Sequence, residues 1–286
     1  MSVPALCHGL FDDAALFPPG NAAMPDAVTG HLAYRQAWYA ELLGLFVCPS
    51  ARLAELDATI RQHRSDPLAV SMTVPGGLAE LPGALRLAGS LPGIHVRAVE
   101  LPVRTPDAPD PLISPAALAS WTEQLQQAVG PRLTSYAEVA LDQLTLPVAT
   151  ALAAAGVGLK LRTGGLTAAA FPSVAGLGSA IAAAVAAGVR FKCTAGLHHP
   201  VAHTDPATGF AQHGFLNVLL AVHAAGSGGD PAAALAERDS ALIARQAGAL
   251  PAAQVVQLRD RFRSIGSCSI IEPLTDLTDL GVVAVP

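Results

Sequence analysis

The chain holds two lysines, Lys160 in "GVGLKLRTGG" and Lys192 in "GVRFKCTAGLHHP", against fifteen arginines. Each follows a short apolar run. Arginine is always charged and is no nucleophile, whereas lysine becomes one once its pKa falls. Burial disfavours the ammonium, and so does a second cation nearby. Two lysines at the mouth of an apolar barrel therefore suit a neutral amine that attacks a carbonyl and forms a Schiff base. Carboxylates can then shuttle protons through water. Glu100 in "VRAVEL" and Glu138 in "SYAEVAL" sit inside apolar runs and need partners. The lysines can be those partners, and the same residues also fit plain ion pairs or point charges for an anionic ligand.

A second group is His198, His199, His203, Asp205 and His213 in "GLHHPVAHTDPATGFAQHG". Imidazole and carboxylate suit zinc, iron or manganese. The spacing matches no H-E-x-x-H motif, so a turn with hydrogen-bonded histidines is the competing reading. His198 or His199 as a general acid/base is a third, since imidazole titrates near neutrality. Asp12 and Asp13 fit a metal, a proton relay or a solvated turn. "TGG" (163–165) and "IGSCS" (265–269) can turn backbone N–H groups towards an anion.

The elements that must position these residues are short apolar runs between Ala/Leu-rich helical stretches. Strands are predicted at 5–11, 45–48, 68–74, 94–101, 133–141, 157–161, 189–193 and 267–271. Their continuous hydrophobicity suits parallel strands buried on both faces. Ser114-Pro115 and Asp230-Pro231 read as helix starts. Ser173 caps a helix over 174–187 that Gly188 ends. Gly44 ends a helix around 26–43, which carries Tyr34, Trp38 and Tyr39 against the barrel. Eight strands alternating with helices predict a (β/α)8 barrel, whose chemistry sits at the carboxyl ends of the strands. The open doubly wound sheet is the alternative, but no G-x-G-x-x-G follows the first strand. Residues 197–263 are too long for one connection. They are expected to hold a loop (198–212) and up to three helices. The expected fold is thus a single-domain TIM barrel over 1–286, enlarged between strands seven and eight.

Composition agrees. The chain is 51% hydrophobic and 14% charged over 286 residues, the signature of a globular protein. A net charge of −5 without a basic cluster argues against nucleic acid. Cys7, Cys48, Cys193 and Cys268 form no C-x-x-C pair, which argues against a zinc ribbon or disulfide framework. Reduced thiols and a cytoplasmic location follow. Cys193 points away from Lys192 by strand alternation. Cys48 and Cys268 face the mouth, as buried small side chains or as nucleophiles. The first residues lack a basic n-region and meet two Asp early, unlike a signal peptide. Residues 163–189 carry no charge, but their Ala and Gly content and Pro172 point to a buried helix rather than a membrane span.

Taken together, these motifs resemble those of the deoxyribose-phosphate aldolases, class I aldolases on a (β/α)8 barrel. "KLRTGG" is similar to that family's strand-six K-x-x-T-G at Lys160, Thr163 and Gly164. "KCTAG" is similar to its strand-seven K-x-[ST]-x-G at Lys192, Thr194 and Gly196. Weaker similarities follow in order: "FDDAALFPP" with Asp12, "LFVCPSARL", "SMTVPGG", "YAEVAL", and "RSIGSCS" with Gly266 and Ser267 at the phosphate turn. The resemblance implies Lys160 as Schiff-base nucleophile and Lys192 as the group that depresses its pKa. Glu100 replaces the family's relay Asp, and Arg162 replaces a small residue, reshaping the pocket or binding an acidic substrate. The His-rich loop replaces a short Gly-rich turn and puts a phosphorylated substrate in doubt.

The expectation is a class I aldolase-like lyase. Lys160 and Lys192 are the catalytic pair, and Glu100, Glu138, His198 or His199 moves protons. A small carbonyl compound is bound by Asp12, Arg162, Thr163, Gly164, Thr194, Gly196, Gly266 and Ser267. No organic cofactor is implied, and a homo-oligomer is compatible with the sequence. The alternatives are a metal-dependent hydrolase or lyase using the 198–213 loop, and a non-catalytic barrel that binds an anionic small molecule.

Overall fold

The computed structural model describes residues 3–104 and 113–285. Its strands are β1 (Phe11–Asp13), β2 (Leu43–Pro49), β3 (Leu68–Thr73), β4 (Ile94–Pro102), β5 (Thr134–Glu138), β6 (Gly158–Arg162), β7 (Phe191–Thr194), β8 (His203–Thr204), β9 (Ala211–Gln212) and β10 (Phe262–Ser267). β1 to β6 each pair in parallel with the next strand, β7 pairs with β10, and β10 closes on β1. The result is a closed eight-stranded parallel barrel of the TIM type. β8 and β9 form a small antiparallel hairpin outside it.

One helix follows each of the first six strands: α1 (Met24–Tyr34), α2 (Leu53–Gln62), α3 (Leu81–Gly89), α4 (Pro115–Val129), α5 (Leu146–Ala154) and α6 (Val174–Ala187). α7 (Phe215–Ser227), α8 (Pro231–Ala236), α9 (Ser240–Gly248) and α10 (Ala252–Arg261) fill the stretch before β10, and α11 (Ile271–Asp279) follows it. The punctuation is local. Ser114, Ser173 and Asp230 each accept a backbone N–H in the first turn of α4, α6 and α8. Gly188 ends α6 in the left-handed conformation.

The core lies between strands and helices. It includes Phe46, Val70, Val99, Leu159, Leu161 and Phe191, with Leu177, Ile181 and Leu219 from the helix side, all fully buried. The stretch Ala168–Ala187, a single helical turn followed by α6, has a mean hydropathy of 1.7 and is by length and composition apolar enough to cross a membrane. In this fold that helix is part of the outer ring, packed against α5, α7 and α8.

Four sequence expectations are corrected. Residues 5–11 are not a strand: Ala5–Cys7 is a single helical turn, and Gly9 at φ +56° redirects the chain so that β1 begins at Phe11. The apolar run signals burial of Leu6, Cys7 and Leu10, not strand pairing. The last barrel strand is 262–267 rather than 267–271, because Arg263 points out and Ser264 points in. Four helices, not three, fill 197–263. The first helix stops at Tyr34, so Trp38 and Tyr39 lie in the turns beyond it, packed edge to face with ring centroids 5.4 Å apart. Gly44 is therefore inside β2 rather than at a helix end.

Candidate active site

Strand alternation turns every second residue into the barrel. Ser71 and Thr73 of β3, Glu100 of β4, Lys160 and Arg162 of β6, Lys192 and Thr194 of β7, and Ser264 and Gly266 of β10 share that inward face. Glu138 of β5, Lys160 and Lys192 are register partners across three adjacent strands. Asp12 joins them from β1.

The charged groups form one chain of contacts. Lys192 Nζ donates to Asp12 Oδ2 at 2.5 Å and to Glu100 Oε1 at 2.6 Å. Glu100 Oε2 lies 2.9 Å from Lys160 Nζ, which lies 2.9 Å from Glu138 Oε2. Three carboxylates thus alternate with two ammoniums, leaving one negative charge in excess. Hydroxyls and a main-chain amide satisfy the remaining lone pairs. Ser71 Oγ donates to Glu100 Oε1 at 2.6 Å, Ser264 Oγ to Asp12 Oδ2 at 2.6 Å, and the Leu45 amide to Asp12 Oδ1 at 2.8 Å. A side chain on Gly44 would overlap Asp12 Oδ1, so the glycine makes room for that carboxylate. Lys192 also sits 5.6 Å from the centre of the Tyr136 ring.

Burial sets the electrostatics. Lys192 is 1% exposed, Glu100 3%, Asp12 4% and Lys160 7%, whereas the Glu138 side chain keeps 30% of its surface. Burial alone would push Glu100 up. The Lys192 and Lys160 ammoniums, with hydrogen bonds from Lys192 and Ser71, overcome it and hold the carboxyl far below its ordinary value. Burial would likewise pull both lysines down. Asp12 and Glu100 overcome it at Lys192, and Glu100 and Glu138 at Lys160, so both lie above the ordinary lysine value. The resemblance implies a lowered Lys160; here Glu100 stands between the two ammoniums, and with Glu138 it makes the net direction upward.

These shifts fix a pH dependence. Glu100 is lower when folded, so its contribution is present above the unfolded value of about 4.3 and is lost as pH falls further. The lysines are higher when folded. Their contribution is complete below about 10.4 and is lost as pH rises through their folded values. Circular-dichroism melts should therefore show a midpoint dropping steeply below about pH 4, with Glu100→Gln flattening that acid limb. An acid limb of unchanged slope in the variant would mean that Glu100 is solvated.

The charged chain forms the floor of a cavity of about 670 Å³ that opens at the carboxyl end of the barrel. Glu100, Glu138, Lys160 and Lys192 line it, with Arg162, Thr194, Gly196, Gly266, His198 and Cys268 higher up. Phe17, Phe171, Phe210 and Leu166 make an apolar wall. Asp12, Thr163, Gly164 and Ser267 are expected from the sequence to touch substrate and do not line the cavity; Asp12 is taken up by Lys192, Ser264 and the Leu45 amide. Thr163 Oγ1 donates to Ala195 O at 2.6 Å, and Ser267 Oγ to Ser269 O at 2.6 Å. A Cβ on Gly164 would stand 2.7 Å from Gly196 Cα. The "TGG" and "TAG" turns thus clamp the ends of β6 and β7 backbone to backbone, which fixes the spacing of the two lysines.

The loop histidines do not converge on one point, although His199 and His203 pack edge to face with ring centroids 4.7 Å apart. His198 pairs with Glu272 at 3.1 Å and His199 with Asp276 at 2.7 Å. His203 bonds Val201 O, His213 bonds Pro172 O, and Asp205 holds its own turn through the Ala207 amide and the Thr208 hydroxyl. No group of three potential metal ligands forms among the described residues. The five residues read as a metal set therefore each keep a separate partner, and only His198 and Asp205 line the cavity. Asp13 points outward and holds the buried His31 at 2.9 Å. The Cys7 and Cys48 thiols are pushed up to about 12 by burial, and Cys268 is raised for the same reason. None is poised as a thiolate.

Ser71, Ser264, Gly44 and Tyr136 were missed from the sequence. Ser71 and Ser264 were legible in principle, because each stands two residues before a mouth residue on the same strand face. Gly44 carried no signal, since its role exists only once Asp12 is placed beside it.

No family model and no curated protein matches the chain. Among solved structures it is similar to a variant of Rhizobium etli pyruvate carboxylase with the allosteric activator acetyl coenzyme-A. The identity is 13% and the TM-score 0.46, over 89% of this chain and 25% of that one. It is also similar to the carboxyl transferase domain of Rhizobium etli pyruvate carboxylase with pyruvate and biocytin. There the identity is 13% and the TM-score 0.44, over 90% of this chain and 48% of that one. The chain thus spans about a quarter and about half of these two proteins.

Proposed function

We propose that the chain is a lyase of the class I aldolase type that forms a Schiff base between Lys160 and a small carbonyl substrate. The observation that carries this reading is the Lys160 amine at the floor of the cavity, within 2.9 Å of two carboxylates, one of which reaches solvent. A buried ammonium cannot attack a carbonyl until it loses a proton. Glu138 is the acceptor suited to this, being 2.9 Å away and the only member of the charged chain with substantial exposure.

The freed amine adds to the carbonyl carbon. The carbinolamine expels its hydroxyl as water, using the proton held on Glu138, and leaves an iminium. In the cleavage direction a carboxylate removes the proton from the β-hydroxyl. The carbon–carbon bond breaks, its electrons enter the iminium, and an enamine and an aldehyde result. Protonation of the enamine carbon and addition of water return the amine and the second carbonyl product. Lys192 holds Glu100 and Asp12 in place and stays charged. The alternative of a barrel that binds anions through its lysines is disfavoured, because both ammoniums already touch two carboxylates each.

The test is reductive trapping with a panel of small aldehydes and ketones plus cyanoborohydride, read by peptide mass spectrometry. The expected adduct maps to Lys160 and disappears in Lys160→Arg. Glu138→Gln should slow its formation about 10²-fold or more, in line with loss of a positioned proton acceptor. An adduct on Lys192, or none across the panel, overturns the reading.

A further inference from the structure

Two cations at this cavity are not accounted for by the charged chain. Arg162 and Arg104 both line it, both are exposed, and neither has a hydrogen-bond or ion-pair partner among the described residues. Arg162 has a fixed relation to Lys160. The two are alternate residues of β6, so they share one face about 6.6 Å apart along the strand, with the arginine nearer the opening. A third unpaired group faces the same space. The Thr73 hydroxyl, on a residue 8% exposed at the end of β3, has no hydrogen-bond partner, and Thr73 lines the cavity.

From this arrangement we infer that the substrate is a 2-oxo acid, with its carbonyl carbon at Lys160 and its carboxylate held by Arg162, with Arg104 as a second cation at the rim. This deepens the Schiff-base reading and rests on it for the covalent step. A guanidinium offers a planar pair of N–H groups that matches a carboxylate. One strand repeat between amine and guanidinium suits a carboxylate bonded directly to the reacting carbonyl. The apolar wall of Phe17, Phe171, Phe210 and Leu166 is then free for a short hydrocarbon chain.

The other anion with claims on such a barrel is a phosphate at the start of the helix after the last strand. That end is occupied from within the chain. Ser269 Oγ accepts the Glu272 amide at 3.1 Å, and the Glu272 carboxylate itself lies in the first turn of α11, against His198. A negative side chain there repels a second anion.

The experiment compares 2-oxobutyrate with its methyl ester, which keeps the reactive ketone and removes the charge, in cyanoborohydride trapping of wild type and Arg162→Met. The concentration giving half-maximal adduct should be at least tenfold lower for the acid in wild type. In Arg162→Met the acid should lose at least tenfold more than the ester, so that the preference collapses. An ester trapped as well as the acid in wild type, or a preference that survives in the variant, overturns the inference. So does preferential trapping of glyceraldehyde 3-phosphate over 2-oxobutyrate. If nothing is trapped, the Schiff-base reading fails by itself, and titration calorimetry with 2-oxobutyrate still decides this one. Binding to wild type that is lost in Arg162→Met supports the carboxylate site, and no binding to wild type overturns it.

Discussion

Lys192→Met should cost about 3–5 kcal/mol of folding stability, the range for removing one partner from a buried ion pair. For a chain of this size that is a fall in melting midpoint on the order of 10 °C. The size of the effect comes from what is left behind. Lys192 contacts Asp12 at 2.5 Å and Glu100 at 2.6 Å, and all three side chains are almost wholly buried. Without the ammonium, Asp12 keeps only the Ser264 hydroxyl and the Leu45 amide. Lys160→Met should cost much less, because Glu100 retains Lys192 and Glu138 already meets water. Adding Asp12→Asn to Lys192→Met should recover part of the loss by removing the stranded charge. Equal losses for the two single lysine variants, read from urea unfolding, would mean that water reaches both ammoniums alike.

The second large effect is on rate. Lys160 lies above the ordinary lysine value, because Glu100 and Glu138 outweigh its burial. The amine is therefore a minor species near neutrality, and its fraction grows about tenfold per pH unit below the pKa. Adduct formation on Lys160 should climb about tenfold per unit from pH 7 to 9, where the network itself remains intact. Had Lys192 acted as a bare cation beside Lys160, the rate would level off near pH 7 to 8 instead. A plateau there would mean that the substrate, on entering, separates Lys160 from its carboxylates. Glu138→Gln separates these cases further. It removes one of the two charges that stabilise the ammonium, so it should move the rise to lower pH even as it slows the reaction.

Much of this was legible in the sequence, and the reason is periodicity. Lys160 and Lys192 each end an apolar run in "VGLKL" and "VRFKC", which fixes them on neighbouring barrel strands at one height, and they are register partners. Glu100 and Glu138 were legible because a charge inside an apolar strand needs a partner. The sign of the pKa shift was not legible. It depends on Glu100 lying between the two ammoniums, a consequence of barrel closure that no local pattern encodes. The histidines misled for a related reason. Five potential ligands within residues 198–213 look like a cluster on paper, but the Pro200 turn and the β8–β9 hairpin send their side chains to Glu272, Asp276 and separate carbonyls. The last barrel strand was misplaced because its alternation, Arg263 out and Ser264 in, looks like the end of a polar helix.

The scarcity of lysine has a practical side. Both ε-amines of the chain lie in the charged network, and the outer surface presents guanidinium groups instead. Acylating reagents such as succinimidyl esters thus find no side-chain target on the exterior, so a label carried at Lys160 reports on the mouth of the barrel alone. Solid supports that couple through side-chain amines would hold this protein only by blocking its cavity, and proteases that cut after lysine would find both of their sites on barrel strands, sheltered until the fold opens.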